Sequence, residues 1–198
     1  MTLYGSMTSG NTYRVRLFLS LLGLSYCFKG ISDHKDLSDP AFRALNPFGE
    51  VPVVVDRDLV LRDSQAILVY LARAYGRPSW LPEAAGPLAA VVQWLSFAAN
   101  EIQNGPRMAR AIALGIVDGD LTGASGRAQR AVHLLDDRLH GREWLATENP
   151  TIADIACYPY VWNVEEGGVD TAGLQELRAW LRRIERLPGF VAMASLTT

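Results

Sequence analysis

The chain has 198 residues, of which 49% are hydrophobic and 20% are charged, and its formal net charge at pH 7 is −2. This length holds one large domain or two small ones, and the composition is ordinary for a soluble globular protein. There is no basic excess to hold a phosphate backbone, no signal-peptide pattern and no apolar run near the roughly 20 residues of a spanning helix, so neither nucleic acid nor a membrane is expected as a partner.

Strand and helix patterns alternate over the first part of the chain. The predicted strands are Thr2–Tyr4, Tyr26–Ile31, Pro52–Val55 and Leu59–Leu61. Helical spacing of apolar residues predicts a helix over about residues 11–22, ended by Gly23, and another from Ser64 to Gly76, with a short helical piece near Pro40–Leu45. The order β-α-β, then β-β-α, predicts a small sheet covered by helices.

The second half of the chain reads as helical. A segment rich in proline and glycine precedes it and predicts a linker. Three apolar stripes at helical spacing follow: Leu88, Val92, Leu95, Ala99 and Ile102; Ala128, Val132, Leu135 and Leu139; and Leu174, Leu177, Leu181 and Ile184. Gly105-Pro106 is expected to break or kink the first of these helices. Thr151 and Asp154 are spaced as a capping box at the start of another helix.

The two cysteines, Cys27 and Cys157, lie far apart in the sequence and form neither a CxxC motif nor a metal-ligand spacing. This usage is typical of a reducing cytoplasm. We expect each cysteine to be a small buried hydrophobic residue rather than a reactive thiol. A cytoplasmic protein without a bound metal is therefore predicted.

A Ser-Gly-Asn run, Ser9–Asn11, separates the first predicted strand from the first predicted helix. A helix N-terminus carries partial positive charge and free N–H groups, and it lowers the pKa of a thiol placed there. A hydroxyl that donates to the sulfur favours the thiolate further. About 2 kcal/mol brings a free thiol from a pKa of about 8.5 to near neutrality. The same run is also an ordinary turn and N-cap sequence.

A second polar group follows the turn predicted at Asn46–Gly49. Val51-Pro52 opens the third predicted strand, and a cis bond there would present the Val51 N–H and C=O to an extended peptide. Asp63-Ser64 opens the next long helix, whose free N–H groups suit a carboxylate together with the Ser64 hydroxyl. Asp63 either accepts from an ammonium group of the same ligand or caps its own helix.

Three segments in this order resemble the N-terminal domain of cytosolic glutathione transferases, and most of all their bacterial, serine-using branch. They are Leu3–Arg16, Leu45–Pro52 and Asp63–Leu71, and Thr151–Pro159 is similar to the capping motif of the family's helical domain. The resemblance implies an α/β thioredoxin-like domain at residues 1–76, a linker at 77–86 and an all-α helical domain at 87–198. It also implies a homodimer that binds glutathione, as a co-substrate, in the first domain.

The resemblance assigns the activation of the glutathione sulfur to two neighbouring positions. Ser9 matches the hydroxyl that activates the sulfur, and Asn11 matches a polar position that assists or replaces it in some relatives. Tyr4 matches a position that does this work in other branches. Here Tyr4 lies within a predicted strand, and we expect it in the core.

The same resemblance assigns the ends of the tripeptide. Val51 matches the residue whose backbone pairs with the cysteinyl unit, and Pro52 matches the cis-proline. Asp63 and Ser64 match the acidic-Ser pair that holds the γ-glutamyl end, although Glu is commoner than Asp at the first position. Glu50 places an acid just before Val51, where it disfavours an anionic peptide.

The group that holds the glycyl carboxylate does not follow from the resemblance, because Ser32–Asp39 departs from the family's usual spacing. His34 and Lys35 are candidates by charge and location. The alternative is that either is a solvated loop residue.

The leading hypothesis is a transferase in which the glutathione thiolate attacks a small apolar electrophile, because the thiolate is far more nucleophilic than the thiol. An apolar second site is expected between the domains. Its candidate walls are Met7, Asn100, Arg107 and Trp162. Arg107, just after Gly105-Pro106, is the candidate for polarising the electrophile.

Two other hypotheses stay open. Glutathione-dependent reduction of a disulfide or peroxide is suggested by Asn11 beside Ser9. A non-catalytic binding protein of the same fold is the third possibility, because a fold does not determine a function. The intact set of Ser9, Pro52 and Ser64 argues against it.

Overall fold

A mixed four-stranded sheet forms the centre of the N-terminal domain in the computed structural model, which describes residues 1–31 and 34–193 apart from the side chains of residues 34 and 35. The strands are β1 (Thr2–Gly5), β2 (Cys27–Gly30), β3 (Val53–Asp56) and β4 (Leu59–Arg62). Their order is β2-β1-β3-β4, with β1 parallel to β2 and β3 antiparallel to both β1 and β4. The four predicted strands are confirmed, and their ends differ from the prediction by one residue at most.

Four helices accompany this sheet within the described residues: α1 (Gly10–Leu21), α2 (His34–Ser38), α3 (Pro40–Leu45) and α4 (Ser64–Tyr75). The chain leaves α1 through Gly23, which has a φ of 66° and so takes the left-handed conformation predicted for it. The sequence did not predict α2. A helix of five residues is too short to show a periodic apolar pattern.

A carboxylate joins the β3–β4 hairpin to the last turns of α4. Asp56 is buried and accepts a hydrogen bond from the Tyr75 hydroxyl and another, 2.8 Å long, from the Tyr70 hydroxyl. Both bonds lower the pKa of Asp56 below its ordinary value because they favour the charged form, and the bond from Tyr75 has the larger effect. The hairpin and α4 therefore share a pH-dependent contact.

The described residues after α4 form helices and turns, as predicted. The helices are α5 (Ala85–Phe97), a π-helical segment (Ala98–Arg107), α6 (Met108–Ala113), α7 (Leu121–Leu139), α8 (Ile152–Trp162) and α9 (Gln175–Glu185). Short 3₁₀ turns lie at Pro78–Trp80 and Val164–Gly167. The stripe predicted for α7 is confirmed, because all four of its residues are buried.

The buried face of α5 differs from the predicted one. Val91 and Leu95 are buried in α5, and Ala98 and Ile102 are buried in the π-helical segment that follows it. Val92 is 48% exposed and Ala99 is exposed, so their placement in the stripe was wrong. Neighbouring positions are apolar on both faces of this helix, and spacing by itself does not decide between them.

Gly105-Pro106 lies inside the π-helical segment, and the helix does not break there. The backbone continues from α5 through the π-helical segment, which contains Pro106, into α6. Proline lacks the N–H of an α-helical hydrogen bond, and a π-helical turn accommodates that loss. A Cβ added to Gly105 would lie 2.9 Å from the backbone N of Ala128, so this segment and α7 approach closely.

The capping box predicted at the start of α8 is confirmed. The Asp154 carboxylate accepts from the backbone N–H of Thr151 at 2.9 Å, and Thr151 caps the helix in return. Asp154 is fully buried, and it also accepts from the Leu145 backbone N–H at 3.0 Å and from the Trp180 indole at 2.9 Å. One carboxylate therefore joins α8, α9 and the loop before α8.

Helix α8 also connects the two domains, since it packs against α1, α4 and α5. Near its C-terminal end, the ring of Tyr160 covers Gly10, the first residue of α1. A Cβ added to Gly10 would lie 2.6 Å from this ring. The N-terminus of α1 is thus held directly against the helical domain.

The cysteines differ in their surroundings. Cys157 in α8 is fully buried, as predicted, and burial raises the pKa of its thiol. Cys27, in the edge strand β2, is exposed, so the prediction of a buried residue was wrong. An edge strand has a neighbour on one side only, and less of it is covered.

Candidate active site

A polar cleft of about 90 Å³ lies where the N-terminal turn of α1, the segment before β3 and the corner between β4 and α4 meet. Five residues from the sequence-based prediction line it, namely Asn11, Val51, Pro52, Asp63 and Ser64. The sequence did not assign the other three lining residues, Asn46, Glu50 and Arg62, to a binding site. The fold therefore brings together groups from three separate segments.

The segment before β3 supplies the backbone wall of the cleft. Buried Asn46 shapes its turn: the Asn46 amide donates to the Glu50 carbonyl at 2.8 Å and accepts from the Phe48 N–H at 3.1 Å. The Val51-Pro52 bond is cis, as the resemblance implied. Val51 precedes the strand pairing, which begins at Val53, and it lines the cleft instead.

The N-terminus of α1 supplies the Asn11 amide to the cleft, whereas Ser9, one residue before the helix, is not among the lining residues. Ser9 is the N-cap, and its half-buried Oγ accepts from the Thr12 N–H at 3.3 Å. This bond occupies a lone pair of the oxygen and leaves the O–H as a donor. Asn11 lines the cleft, and its buried Oδ1 has no hydrogen-bond partner within the described residues. Both the capping and the functional interpretation of this run are compatible with this geometry.

The corner between β4 and α4 contains Asp63 and Ser64, the two residues predicted to bind the γ-glutamyl end of glutathione. Asp63 is exposed, and its carboxylate caps α4 by accepting from the Ala66 N–H at 2.9 Å. Its φ of 69° is unusual for a residue other than glycine. Ser64 is buried; its Oγ accepts from Arg14 at 2.9 Å and lies 2.7 Å from the Gln65 Oε1, to which it donates.

Behind Ser64 lies Arg14 of α1, which sequence reasoning missed. The side chain is fully buried, and burial lowers the pKa of the guanidinium below its ordinary value. Nη1 donates to Ser64 and, at 2.7 Å, to the Gln65 Oε1. The signal that would have found it is its position three residues after Asn11, on the same face of a helix.

The four residues predicted for the electrophile site lie in different surroundings. Met7 is 43% exposed, and Asn100, also exposed, donates to the Glu101 carboxylate at 2.8 Å. Arg107 is half-buried at the end of the π-helical segment. Trp162 lines a cavity of about 280 Å³ whose other lining residues all belong to the helical domain. The structure therefore assigns Trp162 to a cavity within one domain, and the common site stays a prediction.

The candidates for the glycyl carboxylate, His34 and Lys35, have side chains outside the described residues. Their prediction is therefore untested. Tyr4, expected in the core, is half-buried, and its ring lies 6.2 Å from that of Phe42 between centroids.

Comparisons with known proteins agree with this geometry. Residues 3–79 match the family model of the glutathione S-transferase N-terminal domain, and residues 121–188 match that of the C-terminal domain. A solved glutathione S-transferase from Xanthobacter autotrophicus Py2 has a TM-score of 0.90 to this chain and 31% identity, over 98% of this chain and 97% of that one. The chain belongs to the glutathione S-transferase family.

Two curated relatives from this family carry names for different activities. Glutathione S-transferase GstB of Escherichia coli strain K12 is 28% identical over 204 residues, which cover 95% of this chain and 94% of GstB. Disulfide-bond oxidoreductase YfcG of the same strain is 29% identical over 191 residues, which cover 90% of this chain and 87% of YfcG. Family membership therefore establishes the fold and leaves the reaction to be decided by the site.

None of the helices formed by residues 1–31 and 34–193 is both long and apolar enough to span a membrane. In the same part of the chain, no three His, Cys, Asp or Glu side chains are grouped so that they could hold a metal ion.

Proposed function

We propose that this protein is a glutathione transferase of the serine-using branch, which binds glutathione in the polar cleft and joins its sulfur to a small apolar electrophile. The observation that carries the proposal is the convergence in one cleft of Asn11, Val51, Pro52, Asp63 and Ser64. Membership of the glutathione S-transferase family supports the choice of glutathione.

Each wall of the cleft suits one part of the tripeptide. The cysteinyl unit pairs with the free backbone edge at Val51, as an added strand does. The γ-glutamyl carboxylate lies at Ser64, where the N-terminus of α4 favours an anion. The γ-glutamyl ammonium lies beside the exposed Asp63 carboxylate. His34 or Lys35 holds the glycyl carboxylate at the other end.

The sulfur lies at the N-terminus of α1. There the helix dipole and the Ser9 O–H, which capping leaves free to donate, both favour the thiolate. The Asn11 amide lines the same cleft and assists. About 2 kcal/mol from these groups together brings the thiol pKa close to neutrality.

In the transfer step, the thiolate sulfur forms a bond to the electrophilic carbon, and the leaving group departs with the electrons of the bond that breaks. The proton of the thiol has already passed to solvent. Met7, Asn100, Arg107 and Trp162 are retained as the proposed walls of the electrophile site, with Arg107 stabilising the negative charge that develops on the leaving group.

Conjugation of a chlorodinitrobenzene tests this mechanism. We expect Ser9→Ala to lower kcat/KM by about 10–100-fold, because a hydrogen bond to a charged group contributes about 1.5–3 kcal/mol. The absorbance of the bound thiolate, titrated with pH, should show a raised thiol pKa in the same variant. Ser6→Ala is the matched control, because the Ser6 hydroxyl contacts only the exposed Thr8 hydroxyl, at 3.1 Å, among the contacts found in the described residues. Equal rates for wild type and Ser9→Ala would remove Ser9 from the mechanism.

Glutathione-dependent disulfide reduction is the second candidate. Two observations favour it: the Asn11 amide lines the cleft, and the relative YfcG is named as a disulfide-bond oxidoreductase. The ratio of activity on a mixed disulfide to activity on the aryl halide separates the two reactions. Reduction as the main reaction predicts a ratio well above one and a larger loss from Asn11→Ala than from Ser9→Ala.

We further propose that the protein is a homodimer and acts in the cytoplasm, as is common for its family. Light scattering coupled to size-exclusion chromatography tests the first point. A mass near 21.7 kDa, that of one chain, would refute it.

A further inference from the structure

Arg14 is a fully buried cation with an incomplete set of partners. Its Nη1 donates to the Ser64 hydroxyl at 2.9 Å and to the Gln65 side-chain carbonyl at 2.7 Å. Within the described part of the chain, Nε and Nη2 have no hydrogen-bond partner. The closest aromatic contact is the Tyr160 ring, whose centroid lies 5.9 Å from the guanidinium carbon.

This arrangement is costly unless something compensates it. The ion pairs found between described side chains include Arg73 with Glu83, Arg110 with Glu166 and Arg178 with Glu165, and none of the pairs found there involves Arg14. The Asp63 carboxylate acts on Arg14 electrostatically without forming an ion pair with it. A buried charge without a direct ion-pair partner destabilises a fold, whereas a bound ligand of opposite sign offsets that cost. The position of Arg14 directly behind the cleft residue Ser64 shows where such a ligand would lie.

The hydrogen bonds around Ser64 also allow it to switch partner without loss. In the free protein its hydroxyl donates to the Gln65 carbonyl. When an anion binds, the hydroxyl rotates and donates to the anion instead. The Gln65 carbonyl keeps its bond from Arg14, so the rotation leaves no acceptor unsatisfied.

We infer that Arg14 is a positioning residue for the γ-glutamyl end of glutathione, acting through Ser64 on the α-carboxylate of the ligand. This inference rests on the proposed function. The Ser64 side chain lies between the guanidinium and the ligand carboxylate, so Arg14 orients the Ser64 hydroxyl and places a buried positive charge behind it. The sulfur, at the other end of the cysteinyl unit, is not its target.

A purely structural role predicts something different. Arg14 also joins α1 to α4, and its removal could weaken binding of any ligand by loosening the cleft. The two roles are separated by a tripeptide without the α-carboxylate, γ-aminobutyryl-cysteinyl-glycine, which otherwise equals glutathione. A positioning residue matters for glutathione and not for this analogue, whereas a structural residue matters equally for both.

The experiment is calorimetric titration of the full chain with both peptides. For wild type we expect glutathione to bind about tenfold more tightly than the analogue, or better, which is the usual size of a hydrogen bond to a charged group. For Arg14→Met the ratio of the two dissociation constants should fall to near one. Arg14→Lys, which keeps the charge and loses the planar fork, should give an intermediate ratio.

Arg16→Met is the matched control. Arg16 lies on the same helix, but its guanidinium stacks over Phe28, with the guanidinium carbon 5.8 Å from the ring centroid. It should keep the wild-type ratio. A wild-type ratio in Arg14→Met would overturn the inference, and if that variant does not fold, a wild-type ratio in Arg14→Lys does the same. Should wild type bind neither peptide, the proposed function itself fails, and the inference fails with it.

Discussion

Replacing Asp154 tests the reasoning about how α8, α9 and the loop before α8 are held together within the helical domain. The carboxylate is fully buried, and each of its two oxygens accepts two hydrogen bonds. Oδ1 accepts from the Leu145 backbone and the Trp180 indole, whereas Oδ2 accepts from the backbone and hydroxyl of Thr151. Asp154→Ala removes all of these acceptors at once.

The size of the effect follows from the donors left behind. Two backbone N–H groups and one indole N–H lose their partner in a buried site, and each such loss costs about 1–3 kcal/mol. The sum is about 3–6 kcal/mol when each is taken in the lower half of that range. This is a large share of the roughly 5–15 kcal/mol that stabilises a typical protein. Asp154→Asn keeps one acceptor oxygen, so about half of the loss is expected.

Urea unfolding, followed by circular dichroism and by tryptophan fluorescence, measures these free energies, and coincident curves justify a two-state treatment. Asp120→Ala is the control, because Asp120 is an exposed N-cap that accepts from the Gly123 N–H at 3.0 Å. It should cost about 1 kcal/mol. If Asp154→Ala costs no more than Asp120→Ala, the argument from buried donors is refuted.

Two further predictions concern the packing against α1 and the β3–β4 hairpin. Gly10→Ala places a Cβ 2.6 Å from the tyrosine ring above it, so we expect a loss of about 1–3 kcal/mol and a lower kcat/KM in the conjugation assay. Gly126→Ala, whose Cβ would meet only an arginine nitrogen at 3.9 Å, should be neutral or stabilising, and a similar loss in both would contradict the reasoning. Hydrogen bonds from the Tyr75 and Tyr70 hydroxyls lower the pKa of Asp56, and Tyr70→Phe removes the second of them. In wild type the pKa of Asp56 is lower in the folded state than in the unfolded state, so the unfolded state takes up the proton first as pH falls and this part of the stability is lost. The stability difference between wild type and variant should therefore be largest above about pH 5 and shrink below about pH 4. A difference that does not vary with pH in urea titrations would show that the bond does not act through the charge.

Some features of the site could be predicted from short segments of the sequence, because these features depend on residues that are close together in the chain. Ser9 caps α1 through Thr12, and Asp63 caps α4 through Ala66, both within three residues. The capping role of Asp63 and its predicted contact with an ammonium group are compatible, because the carboxylate lines the cleft while it caps the helix. Local patterns predict such contacts well.

Other parts had no local signal. Arg14 is separated from Ser64 by 50 positions, and the exposure of Cys27 depends on which strand lies at the edge of the sheet.

The sequence by itself determined the order of strands and helices, the helix caps and the segments that form the cleft. These follow from backbone preferences and from hydrogen bonds over a few residues. Only the tertiary structure decided which face of α5 is buried, that Tyr160 covers Gly10, and that a buried guanidinium lies behind Ser64. Burial and charge compensation depend on neighbours from distant segments, and those neighbours exist only once the chain has packed.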